Sequence, residues 1–247
     1  MSYLGPAAPG LVASVQFDRP VAVIGDVHGQ SDLLRRLLAR LPADMPVISM
    51  GDVGDRGPDT RGVVDQLLAR RALGVRGNHE EWVLQWISGG GFDSFALHPG
   101  MGGVATLASY GITSRDPRTI AAQRDRVPDA HRAWFLGLPL VLDLTVCGVP
   151  YWLVHAGIPS TEALPHSLSL AEVVPWLVRH RPETLLWAKN DPEEMLPVDR
   201  TVIMGHLRLP EAIDTGAVLA IDTGSGTNRN GKLTAVILPE RRFVQVE

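Results

Sequence analysis

Six residues with metal-binding side chains each follow a short apolar run: Asp26 and His28 after Val21–Ile24, Asp52 after Met50-Gly51, Asn78 after Val75-Arg76-Gly77, His155 after Val154, and His206 after Met204-Gly205. Imidazole and carboxylate together suit first-row divalent ions, Mn foremost, with Fe and Zn as options. Six ligands are more than one tetrahedral ion uses. A carboxylate central in the order, such as Asp52, would then bridge two ions. Two ions about 3.5–4 Å apart form a clamp for in-line displacement at phosphorus, and a water they bind ionises near pH 7. Any single Asp or Asn after a strand is more often a turn former. The metal reading rests on the repetition.

Such ligands converge only if the apolar runs are strands of open sheets, whose carboxyl ends form the usual ligand rim. The pattern fits. Strands are predicted at 21–24, 46–50 and 73–75, alternating with helices at 31–40, 61–71 and 80–87 on which leucine and valine recur at helical spacing. This alternation predicts βαβ units and a parallel sheet. Residues 88–135, punctuated by glycine pairs and scattered arginines, predict an inserted helical lobe within a single domain spanning 1–247. The remainder predicts strands at 140–146, 151–154, 201–204, 217–221, 233–238 and 242–246, with an amphipathic helix at 170–181. The first ten residues, rich in Gly and Pro, predict a frayed lead-in.

Composition narrows the class. With 247 residues, 45% hydrophobic and 20% charged, the chain can bury a sizeable core. A net charge of −4 argues against a dedicated nucleic-acid binder. The apolar stretch from Val141 to Ile158 is broken by Asp143 and Pro150, so no membrane helix is expected, and the first residues lack a secretory pattern. The single Cys147 excludes an intramolecular disulfide and predicts a small buried hydrophobe in a reducing cytoplasm.

Five motifs, in order, carry a resemblance: Gly25-Asp-Val-His-Gly29, Gly51-Asp-Val-Gly-Asp-Arg-Gly57, Gly77-Asn-His-Glu80, His155-Ala-Gly157 and Gly205-His206. The chain resembles the calcineurin-like metallophosphoesterases, in particular the bacterial members of the phosphoprotein (serine/threonine) phosphatase branch, over about residues 20–240. The resemblance implies a four-layer α/β/β/α sandwich. It implies that Asp26, His28 and Asp52 hold one metal, and Asp52, Asn78, His155 and His206 a second. His79 would be the general acid with Asp55 orienting it, and Arg56, with Asn78, would bind phosphate.

The implied activity is hydrolysis of phosphoserine or phosphothreonine in a phosphoprotein or phosphopeptide. A bis-nucleoside polyphosphate (diadenosine tetraphosphate) hydrolase is the alternative on the same scaffold, although those relatives typically lack the acidic residue found here as Asp55. A nucleic-acid phosphodiesterase often carries a histidine where Arg208 stands. An inert metal-bound interaction module would have no need of an acid.

Three positions depart from the family pattern. Gly54 replaces the usual valine and predicts a looser turn under Asp55. Arg208 follows His206-Leu207 where the family continues differently, and either meets substrate or pairs with an acid. Lys189 stands two after Trp187, where an arginine commonly binds phosphate; the alternative is a surface lysine near Asp191, Glu193 and Glu194.

Overall fold

Val21–Ile24 is buried along its whole length, as a strand covered on both faces must be. A computed structural model describes residues 11–160, 163–189, 191–227 and 231–247; the predicted lead-in at 1–10 lies outside them. In chain order the elements are β1 (Val12–Phe17), β2 (Val21–Ile24), α1 (Ser31–Leu38), β3 (Val47–Ser49), α2 (Thr60–Ala69), β4 (Leu73–Gly74) and α3 (Glu80–Ile87). Then come α4 (Gly103–Ser109), α5 (Pro117–Ala121), α6 (Asp129–Leu136), β5 (Val141–Val146), β6 (Val149–Val154), α7 (Val173–His180) and α8 (Thr184–Trp187). β7 (Thr201–Met204), β8 (Ile213–Asp214), β9 (Val218–Ala220), β10 (Leu233–Leu238) and β11 (Arg242–Val246) close the chain.

The strands form two sheets, ordered β11-β10-β2-β3-β4 and β1-β5-β6-β7-β9-β8. β2, β3 and β4 run parallel, as do β6, β7 and β9. β10 is antiparallel to β2, and β5 to β6, so each sheet is mixed, while the βαβ run from β2 to β4 is parallel as predicted. The short connections from β5 to β6 and from β10 to β11 permit only antiparallel hairpins.

Val21, Val23 and Ile48 of one sheet pack on Leu144, Leu153, Ile203 and Leu219 of the other. Ile24 and Val47 instead face Leu34, Leu37, Val64 and Leu67 of α1 and α2, while Val141, Val154 and Val202 face Val174, Leu177 and Leu185 of α7 and α8. Each such side chain contributes about 1.5–3 kcal/mol on burial. The result is the four-layer α/β/β/α sandwich. Leu107, Ile120 and Phe135, from the predicted insert at 88–135, join the same apolar cluster as α1–α3.

Besides the short α8 and β8, two departures from the sequence reading bear on the fold. β1 pairs parallel with β5 at a sheet edge, turning Ala13, Val15 and Phe17 toward the inter-sheet core. Cys147 is exposed, not buried. It forms the two-residue turn Cys147-Gly148 between β5 and β6, with φ of 49° and 80°. Positive φ at both positions marks the hairpin turn whose twist matches its strands, and that turn points its side chains outward.

Candidate active site

The loops after β2, β3, β4, β6 and β7 meet at one rim, and each carries a predicted site residue. His28, Asp52, Asp55, Arg56 and His206 all adopt left-handed backbone conformations, with φ between 47° and 67°. For residues with a Cβ this costs about 1–3 kcal/mol each and persists only where surroundings enforce it. The enforcement is visible. Val27 and His28 donate backbone N–H groups to the Asp52 carbonyl at 3.1 and 2.9 Å, and Gly57 donates to the His28 carbonyl at 3.0 Å. Buried Glu80 accepts backbone N–H bonds from Asp52 (2.7 Å), Val53 (3.0 Å) and Gly77 (2.8 Å). Gly51, with φ of 89°, lies against Gly77, and a Cβ there would come within 2.4 Å of its nitrogen.

Two donor sets share Asp52. Ligand atoms of His28, Asp52 and His79 lie within 4.8 Å of one another, as do those of Asp52, His155 and His206. Asn78 joins the second set, its Oδ1 lying 3.1 Å from His155 Nε2 and 2.9 Å from His206 Nδ1. Asp26 stands outside both sets, its carboxylate accepting the His206 backbone N–H at 3.1 Å.

The donor atoms fit divalent cations. His28 Nδ1 donates to the Gly54 carbonyl (3.0 Å) and His155 Nδ1 to the Met50 carbonyl (2.7 Å), so each ring presents Nε2 to the site. Such outer hydrogen bonds are the usual way a ligating imidazole is oriented. His206 Nε2 is buried with no hydrogen-bond partner among the described residues.

The electrostatics point the same way. Burial opposes charge on His155, yet Asp52 and Asp26 outweigh it and push its pKa up to about 10. Asp26 is raised well above the usual carboxylate range by burial and by Asp222. Burial brings His28 down to about 3, and burial with the neighbouring His155 does the same for His206. Crowded buried carboxylates beside the neutral imidazoles of His28 and His206 are a site that accepts positive charge.

His79, a member of the first donor set, is also paired with a carboxylate of its own. His79 Nδ1 donates to Asp55 Oδ2 at 2.7 Å, leaving Nε2 to face Arg56 Nη2 at 2.9 Å. Arg56 Nη1 reaches His28 Nε2, so this exposed guanidinium spans the mouth of the first donor set. Burial works against charge on His79, but Asp52 and Asp55 prevail and its pKa is raised.

Asp55 has partners that sequence reasoning missed. Trp82 Nε1 donates to Oδ2 at 2.9 Å and Thr106 Oγ1 to Oδ1 at 2.7 Å. Trp82 is core by packing, as predicted, and its indole N–H adds this polar contact. The turn under Asp55 is not loosened by Gly54. A Cβ there would meet Thr60 Cγ2 at 3.0 Å and Thr106 Oγ1 at 3.1 Å, so the space a valine would take is filled by two threonines.

Lys189 is exposed and close enough to His206 to depress its pKa further. Trp187, 44% exposed, stands edge-to-face with His206, the ring centroids 6.5 Å apart. The Arg208 side chain runs along Gly224, where a Cβ would meet its Cδ at 3.0 Å.

No helix among the described residues is long and apolar enough to cross a membrane. Comparison with known proteins agrees with the geometry. The chain is 28% identical over 212 residues to serine/threonine-protein phosphatase 2 of Escherichia coli, covering 84% of this chain and 88% of that one. It is 36% identical over 74 residues to a symmetrical bis(5'-nucleosyl)-tetraphosphatase of Ralstonia nicotianae, covering 28% of this chain and 26% of that one. In fold it resembles a solved structure provisionally described as a diadenosine tetraphosphatase, with a TM-score of 0.62 and 19% identity over 95% of this chain and 96% of that one. The family model for calcineurin-like phosphoesterases matches residues 19–237, from the strand before Asp26 to the strand beyond Asp222, and the chain belongs to that family of phosphoester hydrolases.

Proposed function

We propose that this chain is a two-metal phosphomonoesterase that removes phosphate from phosphoserine and phosphothreonine in proteins. His28 and Asp52 would hold one divalent ion, joined by Asp26, whose carboxylate lies outside the His28–Asp52–His79 set and would have to turn toward it. Asp52, Asn78, His155 and His206 would hold the other, with Mn(II) the ion best suited to this mixed donor set. When bound, such ions supply a nucleophile that is ionised near neutral pH and offset charge on the phosphate oxygens. Arg56 grips two phosphate oxygens with its planar fork, and Asn78 and Lys189 add polar contacts at the same mouth. As the phosphorus–oxygen ester bond breaks, His79 Nε2 gives its proton to the departing serine or threonine oxygen. Asp55 keeps the other ring proton on Nδ1 and favours the charged imidazole.

The observation that carries this reading is the 2.7 Å bond between His79 and Asp55, set beside two donor sets that share Asp52. A general acid is needed where the leaving oxygen is a poor one, as serine's is. The named relative in Escherichia coli supports the protein-phosphatase assignment. A single cysteine fits work in the reducing cytoplasm. The relative in Ralstonia nicotianae favours a second reading, hydrolysis of bis-nucleoside polyphosphates.

The test strips the protein of metal, restores Mn(II), and compares a phosphoserine peptide, p-nitrophenyl phosphate, its bis-ester and diadenosine tetraphosphate. Higher kcat/KM on the peptide than on the tetraphosphate supports the proposal. The reverse order moves the assignment to the second reading, and turnover of the bis-ester alone rejects both.

A further inference from the structure

We propose that the segment from Gly102 to Thr106, in the helical part of the chain, is a positioning element of the active site: Thr106 acts through Asp55 on His79, and Gly102 holds Arg56. The inference rests on the reading of His79 as the general acid.

Thr106 is fully buried on α4, 51 residues from Asp55 in sequence. Its hydroxyl touches Asp55 twice, accepting the backbone N–H at 2.8 Å and donating to Oδ1 at 2.7 Å. That donation uses its one proton, so Thr60 Oγ1, 2.8 Å away, must be the donor to Thr106. The relay therefore has a fixed direction, from Thr60 to Thr106 to Asp55. Asp55 Oδ2 is occupied by His79 Nδ1 and Trp82 Nε1, so Thr106 is the side chain that holds the opposite oxygen. Without it, Oδ1 loses this donor and the carboxylate is left to pivot on its Oδ2 contacts, shifting the imidazole with it.

Asp55 and Arg56 are consecutive residues with φ of 67° and 63°. Thr106 ties the first, and the Gly102 carbonyl accepts the Arg56 N–H at 3.1 Å. Gly102, itself at φ of 79°, approaches so closely that a Cβ would fall 2.6 Å from the Arg56 nitrogen. One short segment thus clamps both the residue that orients the acid and the residue placed to grip phosphate.

The experiment measures kcat and KM of Thr106→Val, Thr106→Ser and Thr60→Val on a phosphoserine peptide and on p-nitrophenyl phosphate, with His79→Asn alongside and metal content recorded for each. Nitrophenolate leaves without a proton, so a positioning role is read as a selective loss. Thr106→Val should lose about 10- to 100-fold in kcat on the peptide, the scale of a small misplacement of a catalytic group, with little loss on the nitrophenyl ester and unchanged metal content. Thr106→Ser, which keeps the hydroxyl, should recover most of the peptide rate. Thr60→Val should show the same selectivity with a smaller loss, and carries the test if Thr106→Val does not fold. Equal losses on both substrates, or no loss, in these variants overturn the inference while His79→Asn remains selective. If His79→Asn itself loses equally on both, the general-acid reading fails and the inference with it.

Discussion

Glu80 Oε2 accepts the backbone N–H of Asp52 at 2.7 Å, tying the loop that follows β3 to the helix that follows β4. The same carboxylate takes two further backbone donors, from Val53 and Gly77. A side chain in neither donor set thus fixes the strained backbone of the residue both sets share. Glu80→Gln replaces one acceptor with an amide that must face an N–H donor, leaving buried groups unpaired at about 1–3 kcal/mol. We expect metal affinity to fall about 10- to 100-fold, the usual effect of losing a ligand's support. Metal content after dialysis against graded chelator checks this; unchanged affinity would contradict it.

Metal uptake should depend on pH through His155. Burial disfavours its charge, but Asp52 and Asp26 push its pKa from 6.5 up to about 10 in the metal-free chain. Because the folded value lies above the ordinary one, the stabilisation from this proton is complete below pH 6.5 and is lost as pH rises through about 10. An ion on Nε2 displaces the proton, so affinity should rise with pH across that window, by up to about tenfold per pH unit. Calorimetric titration in two buffers of different ionisation heat should read about one proton released at His155 near pH 8. Uptake with no proton release would contradict it, and His155→Ala should abolish it.

Restoring the family's valine at position 54 should harm this chain. Gly54→Val would drive a side chain into Thr60 and Thr106, where even a Cβ lies at 3.0 and 3.1 Å. Overpacking of this kind costs about 1–3 kcal/mol, or about 2–12 °C in Tm for a domain of this size. A thermal melt reads it, and an unchanged or raised Tm would show that the threonines give way freely.

The candidate ligands His28, Asp52, Asn78, His155 and His206, which the structure brings together, were legible in the sequence because each follows an apolar run that reads as a buried strand, and because their order matches a known family. His79 and Asp55 sit inside the same motifs. Thr106 and Thr60 lie in no recognised motif, and their role exists only once α4 packs over the turn at Gly54. Trp82 was read correctly as core, but nothing in helical spacing tells which way an indole N–H points. β1 escaped notice although Ala13, Val15 and Phe17 alternate with exposed residues. A lone edge strand of six residues gives little periodicity to read. Gly148, which readily takes positive φ, is the sequence signal for the Cys147-Gly148 turn, and the apolar run before it masks that signal.

Lys189 should contribute to phosphate binding more weakly than an arginine would. A lysine is a point charge on a flexible stem, whereas arginine grips two oxygens in one plane. Lys189→Ala should raise KM for a phosphoserine peptide, and Lys189→Arg should keep or improve kcat/KM. Unchanged kinetics in both variants would remove Lys189 from the site and leave Arg56, with Arg208 along Gly224, to meet the phosphate.

The most direct measurement follows turnover of a phosphoserine peptide as Mn(II) is added back to the chelator-stripped protein. The two donor sets around Asp52 predict no turnover without metal and full recovery at about two ions per chain. Asp52→Asn should abolish both the binding and the recovery. Full hydrolysis by the metal-free protein, or complete recovery at a single ion, would contradict the account.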